Sequence, residues 1–273
     1  MMWLLAGCDA PPERDASAEN VVDWPDPITT LSETNVPGER LPVATERNPG
    51  LPEGLADAEN IGLGTWTTGQ GEAWSLRDDL APGRRAGESS AGLLMFVHQS
   101  DAQIADCESP TRVVALDGVG ATQAALRPQE LYAIHALDAF SQRLNGINAL
   151  VGLDFLVATG DNADSAQLNE TEWFRDVLDG TNLRPDSGEF DSQRDDHDND
   201  PIAEFTPFGL DFPWYAVAGN HDVLVQGNFE VGGYVSAALG TDASAGTRDL
   251  SIAGGPLAFS TVADPRRAVM ERS

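Results

Sequence analysis

Three short polar clusters hold the residues of this chain whose types and spacing could do chemistry. They occupy residues 100–103, 160–164 and 219–222, and together they offer four aspartates, several amide side chains and one histidine. An oxygen-rich set with one imidazole suits hard or borderline divalent ions. We expect a paired-metal site, in which two ions share a carboxylate, bind a phosphoryl oxygen and generate hydroxide from water.

A paired site needs one carboxylate that touches both ions, and Asp161 is the candidate. It lies about sixty residues after Asp101 and about sixty before Asn220. Gly160 and Gly219 directly precede Asp161 and Asn220. Because glycine allows sharp turns and close approach, the backbone can come near the ions at both positions.

The order of the three clusters carries a resemblance to a known family. Residues 160–164 match the motif Gly-Asp-x-x-Asp/Asn in full, and residues 219–222 match Gly-Asn-His-Asp/Glu. Residues 101–103 read Asp-Ala-Gln, a variant of Asp-x-His. The chain thus resembles the calcineurin-like metallophosphoesterase superfamily, directly over about residues 92–225.

The resemblance implies a ligand set for two divalent ions. Asp101 and Gln103 would bind the first ion, Asp161 would bridge both, and Asn220 would bind the second. Gln103 replaces the usual histidine but still offers a carbonyl oxygen. The abundance of oxygen ligands tilts the expectation towards Mn, Mg or Fe over Zn.

The resemblance also implies roles for the remaining motif residues. His221 would hydrogen-bond the phosphoryl group and protonate the leaving alcohol, with Asp222 holding its ring in the required tautomer. Asp164 would orient a ligand or a water molecule from behind. The alternative for Asp164 is a helix cap, since a predicted helix begins near Gln167.

The family completes its metal sites with histidines that follow the Gly-Asn-His motif, and this sequence has none after His221. We therefore expect a truncated member of the family, with a degenerate homologue as the alternative. His98 and His135 are expected to be structural, and Cys107 to be a small packing residue. An incomplete sheet would leave an edge and an apolar face exposed, which predicts low solubility.

The elements that position the clusters are predicted as alternating strands and helices. Apolar runs at 92–98, 154–159 and 213–218 predict three strands, and each ends at one cluster. The first two are of the buried type, and the first is expected to be covered on both faces. Apolar periodicity predicts helices over 128–150 and 167–179, the second capped by Gly180. This order gives an α/β fold, in which ligands gather at the carboxyl ends of the strands. The family's form is a layered β-sandwich flanked by helices, here incomplete.

The segment before this domain divides into three parts. Residues 1–8 resemble part of a lipoprotein signal, with Cys8 as the lipidation site, and a chance apolar start is the alternative. Residues 9–60 are rich in proline and acidic residues and predict a linker. Residues 61–91 predict a hairpin of 62–68 with 73–78, and residues 92–273 form the phosphoesterase domain.

Charge restricts the partners of the chain. With 44 acidic and 16 basic residues the formal net charge is −28, so nucleic-acid binding is not expected. The acidic residues 195–200 are expected to be a solvated loop, because proline replaces the glycine and the glutamate that a calcium loop needs. Membrane contact is expected only through Cys8.

These observations lead to one principal hypothesis. We expect an extracytoplasmic phosphoesterase of the cell envelope that hydrolyses a phosphomonoester or phosphodiester, on a small molecule or an exposed group. One alternative is a non-catalytic envelope lipoprotein with a degenerate metal- or phosphate-binding site. A surface adhesion or scaffolding module on the same fold is the other.

Overall fold

The computed structural model describes a mixed α/β protein. The described residues are 5–6, 30, 32–39, 60, 65–73, 79–80, 82, 93–109, 128–188, 201–232, 240–241 and 262–269. The chain divides into two compact units, one of residues 1–22, 94–249 and 256–273, the other of residues 23–93 and 250–255. All three polar clusters belong to the first unit.

The strands of the described residues form two small sheets. Their bounds are β1 Leu5–Ala6, β2 Glu33–Pro37, β3 Trp66–Gln70, β4 Phe96–Gln99, β5 Phe155–Ala158 and β6 Trp214–Ala216. The first unit holds a four-stranded sheet in the order β1-β6-β5-β4. Strands β4, β5 and β6 run parallel to one another, and β1 pairs antiparallel with β6. The three polar clusters therefore follow three neighbouring parallel strands.

Two helices cover one face of this sheet. A short 3₁₀ helix, Pro128–Tyr132, leads into α1, Ala133–Val151, and α2 spans Leu168–Asp179. Alternate strand residues such as Leu156 and Trp214 point into the core between sheet and helices. The core is completed by buried helix residues: Leu137, Leu144, Trp173, Phe174, Val177 and Leu178. Alternation within each strand thus gives the sheet one buried face.

The predicted helix ends are confirmed to within a few residues. Gln167 precedes α2 and forms a capping box with Glu170, in which each side chain bonds the backbone N–H of the other. Gly180 ends the helix in the left-handed region at φ 69°. No helix in the described ranges is both long and apolar enough to cross a membrane.

The prediction that the first strand is covered on both faces is wrong. β4 is the edge strand of the sheet, and Leu94, Met95 and Phe96 are each about half exposed. Phe96 stacks on Phe155 at 5.3 Å between ring centroids, and Tyr215 meets Phe155 edge-on at 5.9 Å. These three rings form an aromatic ladder across β4, β5 and β6 on the face away from the helices.

Structural roles predicted for single residues have mixed outcomes. His135 lies on α1, contacts the carbonyl of Pro201 at 2.9 Å and stacks on Phe205, as expected of a structural histidine. Cys107 is buried, as expected of a small packing residue. His98 is exposed and not in the core, and its Nε2 lies 2.8 Å from the hydroxyl of Thr159.

The second unit contains a strand pairing that the sequence did not predict. β3 pairs antiparallel with β2, from Glu33 opposite Gln70 to Pro37 opposite Trp66. The expected partner of β3 was 73–78, of which only Ala73 is among the described residues, and it is not in a strand. β2 instead lies within residues 9–60, the segment predicted to be a linker. The acidic loop 195–200 and Cys8 lie outside the described residues.

Candidate functional site

The loops that follow β4, β5 and β6 meet at one edge of the sheet, as predicted. The backbone N–H of Asp101 donates to the carbonyl of Gly160 at 3.1 Å, and that of Gln103 donates to the carbonyl of Asp161 at 2.9 Å. The backbone N–H of His221 donates to Asp161 Oδ1 at 2.9 Å. Asp161 therefore contacts both of the other loops, which is the place expected of a bridging residue.

Asp161 lies in tightly packed backbone. A Cβ on Gly219 would collide with the carboxylate of Asp161, so only glycine allows this approach. Asp161, Asp101 and Gln103 all have left-handed backbone, with φ of 53°, 60° and 45°. Such conformations in non-glycine residues cluster at functional sites, where the surrounding structure holds them.

The predicted ligands remain accessible to solvent. Asp101 and Asn220 are exposed, and Gln103 and Asp161 are half-buried. The Nδ2 of Asn220 donates to the carbonyl of Gly227 at 3.2 Å. The amide nitrogen of Asn220 is thereby held by the protein, and its Oδ1 accepts no hydrogen bond from the described residues. This orientation suits an oxygen ligand.

The donor chemistry fits an oxygen-preferring divalent ion. Among the described residues no group of three or more His, Cys, Asp or Glu side chains is arranged to hold an ion, so the set depends on the amides of Gln103 and Asn220. Each carboxylate keeps one oxygen for an ion, because Asp161 Oδ1 accepts from His221 and Asp101 Oδ2 accepts from Ser100. Mg²⁺ and similar ions are held by one or two carboxylates with water completing the shell.

The partner of the His221 ring differs from the expectation. Its Nδ1 lies 2.8 Å from the backbone carbonyl of Asp164, and 3.7 Å from Asp164 Oδ1. A carbonyl can only accept, so Nδ1 carries the hydrogen and Nε2 is left for other contacts. Asp164, and not Asp222, sets the tautomer. Asp164 also does not cap α2, because Gln167 occupies the cap position.

Asp222 instead joins the second loop to the third. Its Oδ1 accepts from the backbone N–H groups of Asn162 at 3.0 Å and Ala163 at 2.8 Å. Its Oδ2 accepts from the backbone N–H of Gly219 at 2.7 Å. Asp222 is 3 % exposed, so this carboxylate holds the loops from inside and is a positioning residue.

A second buried carboxylate, Glu170 of α2, joins the first loop to the second. Its Oε1 accepts from the backbone N–H of Asp106 at 2.9 Å, and its Oε2 accepts from that of Ser165 at 2.7 Å. Ser165 directly follows Asp164, whose carbonyl contacts His221. Glu170 is not among the residues predicted from the sequence, although the spacing Gln-x-x-Glu at 167–170 resembles a capping box, the signal that marks it.

A buried arginine lies behind these loops. Arg267 is fully buried, and its Nε lies 3.3 Å from Asp106 Oδ2. One of its terminal nitrogens donates to the hydroxyl of Ser187 at 2.9 Å, and Ser187 in turn donates to Asp106. Asn169 Nδ2 also donates to Asp106 Oδ2, at 2.8 Å. No local sequence signal identified Arg267, because Asp106 is 161 residues away along the chain.

The neighbouring residues of Arg267 form a second ion pair. Arg266 and Asp264 approach to 2.6 Å, and Asp264 also accepts from the backbone N–H of Gly188 at 2.9 Å. Burial alone would raise the pKa of Asp264, but the hydrogen bonds from Arg266 and Gly188 lower that pKa to about 2. Asp264 is therefore ionised throughout the neutral range.

Comparison of the chain with protein-family models, with curated proteins and with solved structures finds no match.

Proposed function

We propose that this protein is a metal-dependent phosphoesterase of the calcineurin-like type that hydrolyses a phosphomonoester or phosphodiester. The observation that carries the proposal is the position of Asp161, which hydrogen-bonds both neighbouring loops. Motifs read from three distant segments thereby lie at the carboxyl ends of three parallel strands, where α/β proteins bind ligands.

The proposed cofactor is a pair of divalent ions held by the oxygens of Asp101, Gln103, Asp161 and Asn220. When bound, the ions would polarise the phosphoryl group and activate a water molecule for attack. Local positive charge is required here, because the chain carries a net charge of −28 and would otherwise repel a phosphorylated substrate. Two carboxylates and two amides favour Mg, Mn or Fe over Zn.

His221 is the proposed proton donor. In hydrolysis the water oxygen bonds to phosphorus and the water releases one proton to the solvent. The ester P–O bond breaks, and its electron pair leaves on the alcohol oxygen, which takes up a proton. With Nδ1 held by the carbonyl of Asp164, an imidazolium His221 can give that proton from Nε2. Asp164 and Asp222 support this step as positioning residues.

The finer fold proposed with this function is the layered β-sandwich of the family. Two observations support it. The sheet is covered by helices on one face, whereas Phe96 and Tyr215 on the other face remain exposed at 50 % and 37 %. An apolar face of this kind is what a second layer would cover.

The proposal is tested by metal content and hydrolysis together. Purified protein loaded with Mn²⁺ is assayed on 4-nitrophenyl phosphate and bis(4-nitrophenyl) phosphate, and bound metal is measured by mass spectrometry. We expect Asp161→Asn to lower the bound metal and to reduce hydrolysis at least about 100-fold, as losses of this size follow removal of electrostatic stabilisation. Asp211→Asn, an exposed residue away from the loops, makes the same charge change and is the control.

A non-catalytic metal- or phosphate-binding protein is the second candidate. It is favoured by the small number of carboxylates at the site, since the described residues provide no group of three acidic, histidine or cysteine ligands. Asp161-dependent metal binding without hydrolysis would support it. The absence of both would contradict both candidates and leave the scaffolding function.

We also propose an extracytoplasmic, envelope location, with lipidation at Cys8 as the only membrane contact. Leu5–Ala6 form β1 and pair with Tyr215 and Ala216. Lipidation of Cys8 requires cleavage before it, which would remove β1, so retention of this strand predicts an intact N-terminus instead. Mass spectrometry of the mature protein distinguishes a lipidated N-terminal Cys8 from an intact N-terminus.

A further inference from the structure

A single peptide group connects the ring of His221 to the buried carboxylate of Glu170. The carbonyl of Asp164 and the N–H of Ser165 are the two ends of one planar peptide. The carbonyl lies 2.8 Å from His221 Nδ1, and the N–H donates to Glu170 Oε2 at 2.7 Å. Because the two ends of a trans peptide point in opposite directions, His221 lies on one side of this group and Glu170 on the other.

The bond to Glu170 fixes the direction in which the Asp164 carbonyl points. The preceding peptide is already held, because the N–H of Asp164 donates to the carbonyl of Ile104 at 2.9 Å. Rotation about the next backbone bond would still turn the carbonyl, and Glu170 opposes this rotation by holding the N–H end of the same peptide. The Oδ1 of Asp164 lies 3.7 Å from His221 Nδ1, too far for a hydrogen bond. The carbonyl therefore orients the ring, and Glu170 orients the carbonyl.

Glu170 also holds the strained backbone that follows this peptide. Ala166 is fully buried and has φ 56°, in the left-handed region that residues other than glycine rarely adopt. Glu170 Oε2 accepts from the N–H groups on both sides of it, from Ser165 at 2.7 Å and from Gln167 at 3.4 Å. A strained conformation of this kind persists only where the surrounding structure holds it. Loss of the carboxylate would let the segment relax and turn the preceding carbonyl away from His221.

The hydrogen bonds on the two sides of the peptide reinforce each other. Both oxygens of Glu170 accept from N–H groups, Oε1 from Asp106 and Oε2 from Ser165, which suits an ionised carboxylate because it can only accept. A negative acceptor at the N–H end polarises the peptide and makes its carbonyl a stronger acceptor. Glu170 and Ser165 are both fully buried, where hydrogen bonds are electrostatically stronger than in water. The form of His221 with hydrogen on Nδ1 is thereby favoured.

We propose that Glu170 is the positioning residue for the proton donor His221 and acts through the peptide between Asp164 and Ser165. The inference rests on the proposed phosphoesterase function and adds a residue to its mechanism. When the ester P–O bond breaks, the proton passes from Nε2 to the alcohol oxygen, Nδ1 keeps its hydrogen, and the ring becomes neutral. Glu170 transfers no proton itself and acts only by direction and charge.

The first test compares two esters that need a proton donor to different degrees. The leaving group of phenyl phosphate is basic and needs a proton, whereas that of 2,4-dinitrophenyl phosphate leaves without one. In Mn²⁺-loaded protein we expect Glu170→Gln, which keeps the side-chain size, to lower kcat for phenyl phosphate at least about tenfold more than kcat for the dinitrophenyl ester. His221→Gln should show the same pattern with a larger ratio, because it removes the donor completely.

Asn145→Ala is the matched control for a loss of stability. Asn145 is a buried residue of α1 whose side chain bonds the carbonyl of Gly209 and the N–H of Asp211, so its removal also leaves backbone groups without these partners. We expect this variant to change the ratio of the two kcat values by about twofold or less, since the two networks are separate. An equal fall of kcat for both esters in Glu170→Gln would overturn the positioning role and leave the proposed function standing.

The second test needs no hydrolysis, so it decides the inference alone if neither ester reacts and the proposed function fails. In metal-free protein with ¹⁵N-labelled histidine, NMR shows which ring nitrogen of the neutral His221 carries the hydrogen. We expect Nδ1–H in the unmodified protein and in Asn145→Ala, and a mixture of both forms in Glu170→Gln. An unchanged form in Glu170→Gln would overturn the inference.

The unmodified protein decides the outcome if Glu170→Gln does not fold. Hydrogen on Nδ1 of His221, together with slow hydrogen exchange at the N–H of Ser165, would support the two hydrogen bonds of the shared peptide. Hydrogen on Nε2, or exchange at Ser165 as fast as at exposed amides, would overturn the inference.

Discussion

The side chains that face the candidate site and the side chains directly behind them contrast in almost every physical respect. Asp101 and Asn220 are exposed, whereas Asp222 and Glu170 are 3 % and 0 % exposed. The exposed residues make few hydrogen bonds, but each buried carboxylate accepts from the backbone of two different loops. Chemistry and positioning are thus divided between two layers of residues.

This division implies that stability and function respond differently to substitution in the two layers. A buried carboxylate compensated by backbone N–H groups is costly to disturb, because its partners have no access to water. An exposed ligand leaves its neighbours solvated when it is replaced.

The largest effect is expected for Arg267→Met. Both Arg267 and Asp106 have fully buried side chains, so removal of the guanidinium leaves a buried carboxylate without its cationic partner. We expect the free energy of unfolding to fall by about 3–5 kcal/mol, measured by urea denaturation. Arg175→Met breaks an exposed pair with Asp176 and should cost about 1 kcal/mol or less. An equal loss of unfolding free energy in the two variants would show that a buried ion pair contributes no more to stability here than an exposed one.

Asp222→Asn is expected to have the next largest effect. The amide keeps the size of the carboxylate, but only one of its two atoms can accept the backbone N–H groups of Asn162, Ala163 and Gly219. A cost of about 2–3 kcal/mol follows from leaving buried donors unsatisfied. Hydrogen exchange should accelerate at these three amides while amides inside α1 remain protected. Unchanged exchange at the three amides would contradict the assigned role of Asp222.

A smaller effect is predicted for acid on the Asp264–Arg266 pair. The pKa of Asp264 is about 2 in the folded protein and roughly 3.9 in an unfolded chain. A lowered folded-state pKa adds stability above the unfolded value, and this is lost as the pH falls through about 2. The stability difference between the unmodified protein and Asp264→Asn should therefore be constant from pH 7 to about pH 5 and shrink towards pH 2. A difference that grows on acidification would contradict the assignment.

The exposed layer was largely predictable from the sequence, because its signals are local. Each of the three apolar runs ends at a polar cluster, and parallel strands bring their carboxyl ends to one edge. Gly180 was predicted as the C-cap of α2 in the same way, from the glycine that follows the helical segment. Local patterns were thus enough to predict the strands, the helices and the convergence of the three loops at one edge of the sheet.

The buried layer was not predictable, because its contacts join distant segments. Arg267 and Asp106 are 161 residues apart, and Asp222 and Asn162 are 60 apart. The exposure of β4 was missed for a related reason, since an apolar run at a sheet edge reads the same as one in a sheet centre. The pairing of β2 with β3 also spans a proline-rich segment that predicted a linker.

The smallest effect on stability is expected at the residue on which the proposed function most depends. Asp161 has φ 53°, a conformation that asparagine also tolerates, and the amide oxygen of asparagine can still accept from the N–H of His221. We expect Asp161→Asn to change the free energy of unfolding by about 0.5 kcal/mol or less in the metal-free protein. Mn²⁺ should stabilise the unmodified protein against heat and leave Asp161→Asn unaffected, because only an ion that binds the folded state raises Tm. A loss of metal-free stability as large as that of Asp222→Asn would place Asp161 in the positioning layer and remove the basis for the contrast.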